Sequence, residues 1–196
     1  MGFLSRLFGR EDVARKDAGR IYNAMMIQAR RPEFYGDGKV PDNYDGRIDL
    51  LTLHLATIIR ALNTHGEQGK RLAQALYEVM RDDWDIALRE EGMSDTGVMK
   101  RIKPMIRLFY TRIKAYTEGI DDGSIEDALH NGVMAPPIPN PENEEGEPLA
   151  LANIDHKAFV KPLSDYAVEL SRGLAGKSLG EIALMQFDMP SPPQAA

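Results

Sequence analysis

Apolar residues in this chain recur at steps of three and four, and no stretch alternates with period two long enough to force a sheet. The first such pattern is short: Phe3, Leu4, Leu7 and Phe8 share one helical face, with Arg6 and Arg10 beside it. A second runs over 13–30 through Ala14, Ala18, Ile21 and Met25, with Tyr22 and Met26 alongside, and Arg31-Pro32 ends it. Residues 32–46 form a loop rich in Pro, Gly and Asp that carries Phe34 and Tyr35. From Ile48 to Leu62 apolar residues wrap most of the circumference, which predicts the buried centre of a bundle. His65-Gly66 closes that helix.

The pattern then turns amphipathic. Residues 68–89 show one stripe through Leu72, Leu76, Val79, Trp84 and Leu88. Ser94 or Asp95 is a plausible N-cap for the next helix, which runs to about Glu118 on Val98, Ile102, Met105, Phe109, Ile113 and Tyr116. Pro104 lies inside it and predicts a kink or a break. Ser124 is read as the cap of a short helix to Leu129. A proline-rich stretch with four Glu and no base follows over 137–150, and another helix spans about 159–174. The fold class is therefore all-α. It is a multi-helix bundle (11–135) after an amphipathic N-terminal segment (1–10), with an acidic Pro-rich linker (136–150), a C-terminal helical appendage (151–182) and a tail (183–196).

Composition narrows the chemistry. There is no cysteine among 196 residues, which excludes a disulfide framework and a thiolate site. No apolar run approaches the roughly 20 residues that cross a bilayer. The start shows no secretory h-region, and Arg6 stands where a myristoylation signal wants Ser or Thr. Glu11, Asp12 and Asp17 come too early for a mitochondrial presequence. The net charge of −6 hides a segregation, since residues 1–31 hold seven bases against three acids. A basic end on an acidic body points to an anionic partner at that end. The face of Phe3, Leu4, Leu7 and Phe8 fits a peripheral membrane contact. A first turn that packs or frays is the preferred reading, because two turns bury too little to anchor alone.

Four features could carry function. Asp82, Asp83 and Asp85 resemble the aspartate-rich helices that hold magnesium and a diphosphate in all-helical prenyl-transfer enzymes. Such a site needs a second acidic cluster, for which Asp121-Asp122 is the available pair. Arg81 and Arg89 flank Asp85 at helical spacing, so an ion-paired helix face is the preferred reading. Residues 100–114 hold six bases and no acid. Lys100, Lys103, Arg107, Thr111 and Lys114 fall on one stripe, either a face for RNA phosphates or anionic lipid, or a solvated face paired with the acidic 82–95 segment. His54 sits in the most apolar helix with no second histidine at ligand spacing, which reads as a hydrogen-bonded core histidine. The ten methionines could line an adaptable client groove, but ordinary core filling is preferred. No phosphate loop, nucleophile elbow or dinucleotide fingerprint is present.

Several blocks over 21–116, taken in order, resemble a known family. They are Ile21-Tyr22 through Gln28-Ala29-Arg30, then Pro32-Glu33-Phe34-Tyr35, then Val40-Pro41-Asp42 through Asp45-Gly46-Arg47 and Asp49 to His54. Ala73 to Leu76 follows, with Asp83-Trp84-Asp85 and Leu88-Arg89-Glu90, and last comes Phe109 to Tyr116. This set resembles the ubiquinol–cytochrome c chaperone family, assembly chaperones for the cytochrome b subunit of respiratory complex III. It covers about half the chain and leaves out the C-terminal 60 residues. Pro104 and Trp84 depart from the family's usual residues.

The resemblance implies an all-helical, non-enzymatic protein without a cofactor. The implied partners are a cytochrome b client, the ribosome near its exit site and a second assembly factor; no DNA is implied. Its place would be the bacterial cytoplasm, peripheral at the inner membrane, or the mitochondrial matrix in eukaryotic members. The expected partner-binding residues are Arg30, Phe34 and Tyr35, the loop residues Asp42, Asp45 and Arg47, the helical Asp83, Asp85 and Arg89, and the basic Lys100, Lys103, Arg107 and Lys114. For the Asp42–Arg47 loop the plainer reading is a helix N-terminus stitched by its own charges.

Overall fold

In a computed structural model the backbone is described for residues 3–133 and 157–193, and side chains for 13–131 and 158–193. Those residues form seven α-helices: α1 (Phe3–Ala29), α2 (Tyr44–Asn63), α3 (Gly66–Glu90), α4 (Asp95–Asp122), α5 (Ile125–Val133), α6 (Lys157–Leu174) and α7 (Leu179–Ala183). A 3-10 turn, Pro32–Phe34, follows α1. Among the described residues there is no strand, and Tyr35 and Val40 make one isolated bridge. The all-α expectation holds, and no described helix is long and apolar enough to cross a membrane.

α2 is the axis of the bundle. Its residues 50–58 are all buried, and it packs against α1, α3, α4, α5 and α6. The reason is visible in its sequence: an apolar circumference leaves no side that water would favour. α1 lies on α3, and α4 lies on α2 and α5. Each outer helix has the narrower stripe of a one-sided packing. α3 buries Leu72, Leu76, Met80, Trp84 and Leu88, while α4 buries Val98, Met105, Phe109 and Tyr116.

Local chemistry sets the boundaries. Asn43 Oδ1 accepts from Gly46 N at 2.8 Å and caps α2, and Asp45 lies in its first turn. Ser94 caps α4 by accepting from Gly97 N. α4 continues through Pro104 as a single element, where the sequence predicts a kink or a break. A proline removes one helical hydrogen bond, and the packing of Val98, Met105 and Phe109 on one face outweighs that loss. Gly123 in the left-handed region (φ 83°) ends α4. Ser124 stands immediately before α5, where its carbonyl accepts from Ala128 N at 3.2 Å and its hydroxyl donates to Asp122 Oδ1.

α1 starts at Phe3, so the N-terminal segment and the 13–30 helix are one backbone element. The side chains of Phe3, Leu4, Leu7 and Phe8 lie outside the described ones. The acidic linker 136–150 lies outside the described residues. The C-terminal part docks on the bundle, with α6 against α2 and α5 and α7 against α1. Residues 184–193, set apart in the sequence as tail, also lie on the body: Pro190 and Pro192 are buried, and Pro190 O accepts from Gln28 Nε2 at 3.0 Å. The short α7 is not apparent in the hydrophobic pattern. A capping box of Ser178 and Glu181 marks its start.

Candidate functional site

The loop before α2 folds back on its own residues. The Tyr35 hydroxyl donates to Ala29 O at 2.6 Å. The Arg47 guanidinium lies 5.5 Å from the Tyr35 ring centre and pairs with Asp42 at 2.7 Å. Burial pushes the Tyr35 phenol up to about 12, against an opposing pull from Arg47. Asp42 and Arg47 are both about half exposed. Phe34 is not: it is fully buried, and its ring meets His54 and Tyr166 edge-on at 5.6 and 5.1 Å. The expectation of a surface role for Phe34 is corrected on this ground. An aromatic in a Pro/Gly-rich loop looks exposed in sequence, but here the 3-10 turn tips it into the core.

Behind the loop, two carboxylates one turn apart on α2 face two guanidinium groups of α4. Asp45 lies 3.9 Å from Arg101. Asp49 Oδ1 lies 3.2 Å from Arg112 Nε and accepts from the Tyr116 hydroxyl at 2.9 Å. The Asp49 and Arg112 side chains are only 11% and 10% exposed. Burial raises the Asp49 carboxyl, and Arg112 and Tyr116 oppose that rise. The structure thus splits the six bases of 100–114. Arg101 and Arg112 turn inward to α2, while Lys100, Lys103, Arg107 and Lys114 face water. Sequence reasoning missed the inward pair. Two Asp in the first turns of one helix and two Arg in a basic run carry no signal of their mutual approach.

Asp49 also lines a small apolar pocket with Val40, Leu53, Tyr116, Leu129 and Leu163. Its whole empty volume is about 180 Å3, below the roughly 300–1,000 Å3 of ligand pockets. It does not fit a substrate.

His54 is a core histidine, as its surroundings in sequence predict. It is fully buried, with Nδ1 2.8 Å from Leu50 O and Nε2 2.8 Å from the Tyr166 hydroxyl. Loss of hydration pulls its pKa down to about 4, so it is neutral at pH 7.

The aspartate cluster on α3 is taken up by ion pairs and hydrogen bonds. Asp82 pairs with Arg15 at 2.7 Å and with Arg81 at 2.9 Å. Asp83 accepts from the Tyr22 hydroxyl at 2.7 Å. Asp85 pairs with Arg89 at 2.6 Å, and Arg89 also pairs with Asp95. Across the bundle, Asp121 pairs with Arg60 and Asp122 accepts from Ser124. Among the described residues, no three His, Asp or Glu side chains come together as metal ligands. Asp82, Asp85 and Asp95 of the acidic 82–95 segment thus pair with Arg15, Arg81 and Arg89 rather than with the basic stripe of α4. Arg30 is exposed at the end of α1.

The fold and these sites define an all-α bundle with polar surfaces and a buried hydrogen-bonded core. Comparison with known proteins places it more closely. The family model described as Ubiquinol-cytochrome C chaperone matches residues 37–159, and the chain belongs to that family. The match starts after the 21–35 blocks and runs past residue 116. The chain is 25% identical over 112 residues to ubiquinol-cytochrome c reductase complex assembly factor 1 of Mus musculus, covering 56% of this chain and 38% of that one. It is 22% identical over 147 residues to the Xenopus laevis protein of the same description, covering 74% of each. The chain therefore spans well under half of the mouse relative. A crystal structure of the Cbp3 homolog from Brucella abortus superposes with a TM-score of 0.70 at 25% identity, covering 99% of this chain and 100% of that one.

Proposed function

We propose that this chain is an assembly chaperone of ubiquinol–cytochrome c reductase whose client is the cytochrome b subunit, and that it acts by binding rather than catalysis. The observation that carries the reading is the family match over residues 37–159, which takes in α2 to α5. The surfaces suit the task. The loop with Tyr35, Asp42 and Arg47 offers polar and aromatic contacts to a protein partner. The ribosome near its exit site and a second assembly factor belong to the same reading, as does work at the inner membrane surface.

The magnesium-diphosphate alternative loses support because each of its carboxylates already holds a partner within the protein. The test is deletion of the gene with a readout of assembled respiratory complexes. Complex III should fall while the other complexes stay, and crosslinked pull-downs of the full chain should recover cytochrome b. Unchanged complex III in the deletion strain overturns the proposal.

A further inference from the structure

We infer that the outer face of α4 is a docking surface for an anionic lipid bilayer. Lys100, Lys103 and Arg107 are exposed at steps of three and four, and Lys114 lies two turns further on. Among the described residues, Lys100, Lys103 and Arg107 have no ion-pair partner. Lys114 lies 3.9 Å from Glu118. Three acids of the 82–95 segment are committed to other cations, Asp82 to Arg15 and Arg81, and Asp85 and Asp95 to Arg89. Among the described residues, Lys100, Lys103 and Arg107 thus form a cationic strip without ion-pair partners in a chain of net charge −6.

Two large apolar side chains stand within the same arc. Met99 is 60% exposed and Tyr110 53% exposed. Tyr110 leans on Tyr77 of α3, with ring centres 5.3 Å apart, which holds it at the seam between the two helices. Cations flanking an exposed apolar and aromatic strip on one helix face fit a lipid interface, where headgroup phosphates meet the cations and the acyl boundary meets the apolar groups. Phosphates alone, as in RNA, would leave Met99 without a partner, because a thioether offers no plane for a base to stack on. The inference concerns a surface rather than the client, so its test needs no client and can fail independently of the proposed function.

The experiment is flotation of the full chain with vesicles, neutral phosphatidylcholine against the same lipid with about a third phosphatidylglycerol. Wild type should float with the anionic vesicles only, and less so as salt shortens the Debye length. K100E/K103E/R107E should lower the partition by about 100-fold, on the scale of one charge contact per cation. M99A/Y110A should lower it about 10-fold and leave what remains more salt-sensitive. These residues are solvent-exposed, and unchanged circular-dichroism melts would confirm that both variants fold. Failure of wild type to float overturns the inference, as does equal binding to neutral vesicles. Wild-type partition by the charge variant overturns it too, since the N-terminal segment would then suffice. If an RNA oligomer strips the protein from vesicles while M99A/Y110A behaves as wild type, the face reads polyanions and the inference falls.

Discussion

The Tyr166 hydroxyl of α6 donates to Nε2 of His54 in α2 across 2.8 Å, between residues 112 positions apart in sequence. The direction follows from the other ring nitrogen: Nδ1 faces a carbonyl, Leu50 O, and must carry the proton. The same Tyr166 oxygen accepts from Gln28 Nε2 at 3.0 Å, and that amide also donates to Pro190 O. One chain of hydrogen bonds thus joins α2, α6, α1 and the C-terminal residues. Tyr166→Phe leaves His54 Nε2 and the Gln28 amide short of a partner. It should cost about 1–3 kcal/mol in urea unfolding, with the folded state otherwise unchanged by circular dichroism.

Stability should fall on mild acidification because of His54. Its folded pKa, about 4, lies below the ordinary 6.5. Between those values the unfolded chain takes up a proton that the folded one refuses, so the loss builds as pH drops from 6.5 and levels off near 4. The ceiling is roughly 3 kcal/mol. Urea midpoints at pH 7 and 4.5 measure it, and His54→Gln, which cannot titrate, should show a flatter dependence than wild type.

The Asp49–Arg112–Tyr116 group ties α2 to α4 in a place with little water. Asp49→Ala takes the carboxylate away from a buried guanidinium and should destabilise by about 3–5 kcal/mol. Asp49→Leu combined with Arg112→Met should recover much of that loss, since a buried ion pair often contributes little more than apolar packing. Equal loss in the single and double variants would show that charge is not the issue there.

Gly69 marks the tight α2–α3 corner. A Cβ there would lie 1.8 Å from Leu62 O, a backbone atom with little room to retreat. Gly69→Ala should therefore lose at least about 2 kcal/mol in thermal or urea unfolding, although alanine is the better helix former.

The carboxylates of α3 should be insensitive to magnesium. Asp85→Asn removes one exposed ion pair and should change stability by no more than about 1 kcal/mol. Melting of the wild type should not move on adding magnesium and a prenyl diphosphate together. A ligand-dependent rise would reopen the enzymatic reading.

The amino-acid sequence by itself determined the helices. The spacing of Leu72, Leu76 and Leu88, or of Val98, Met105 and Phe109, admits no strand, and the largely apolar circumference from Leu50 places α2 at the centre, because burial is what such a circumference demands. It also determined the solvent stripe of Lys100, Lys103, Arg107 and Lys114, since helical spacing alone puts those positions opposite the core. What it could not decide is which charges meet. Asp49 and Arg112 are 63 residues apart on different helices, and their pairing depends on how α2 and α4 cross. The same holds for Phe34, loop-like in sequence but seated against His54 and Tyr166, and for residues 184–193, which look like tail until Gln28 takes hold of Pro190. Periodicity is a property of a single element, whereas partnership between elements exists only once they are packed.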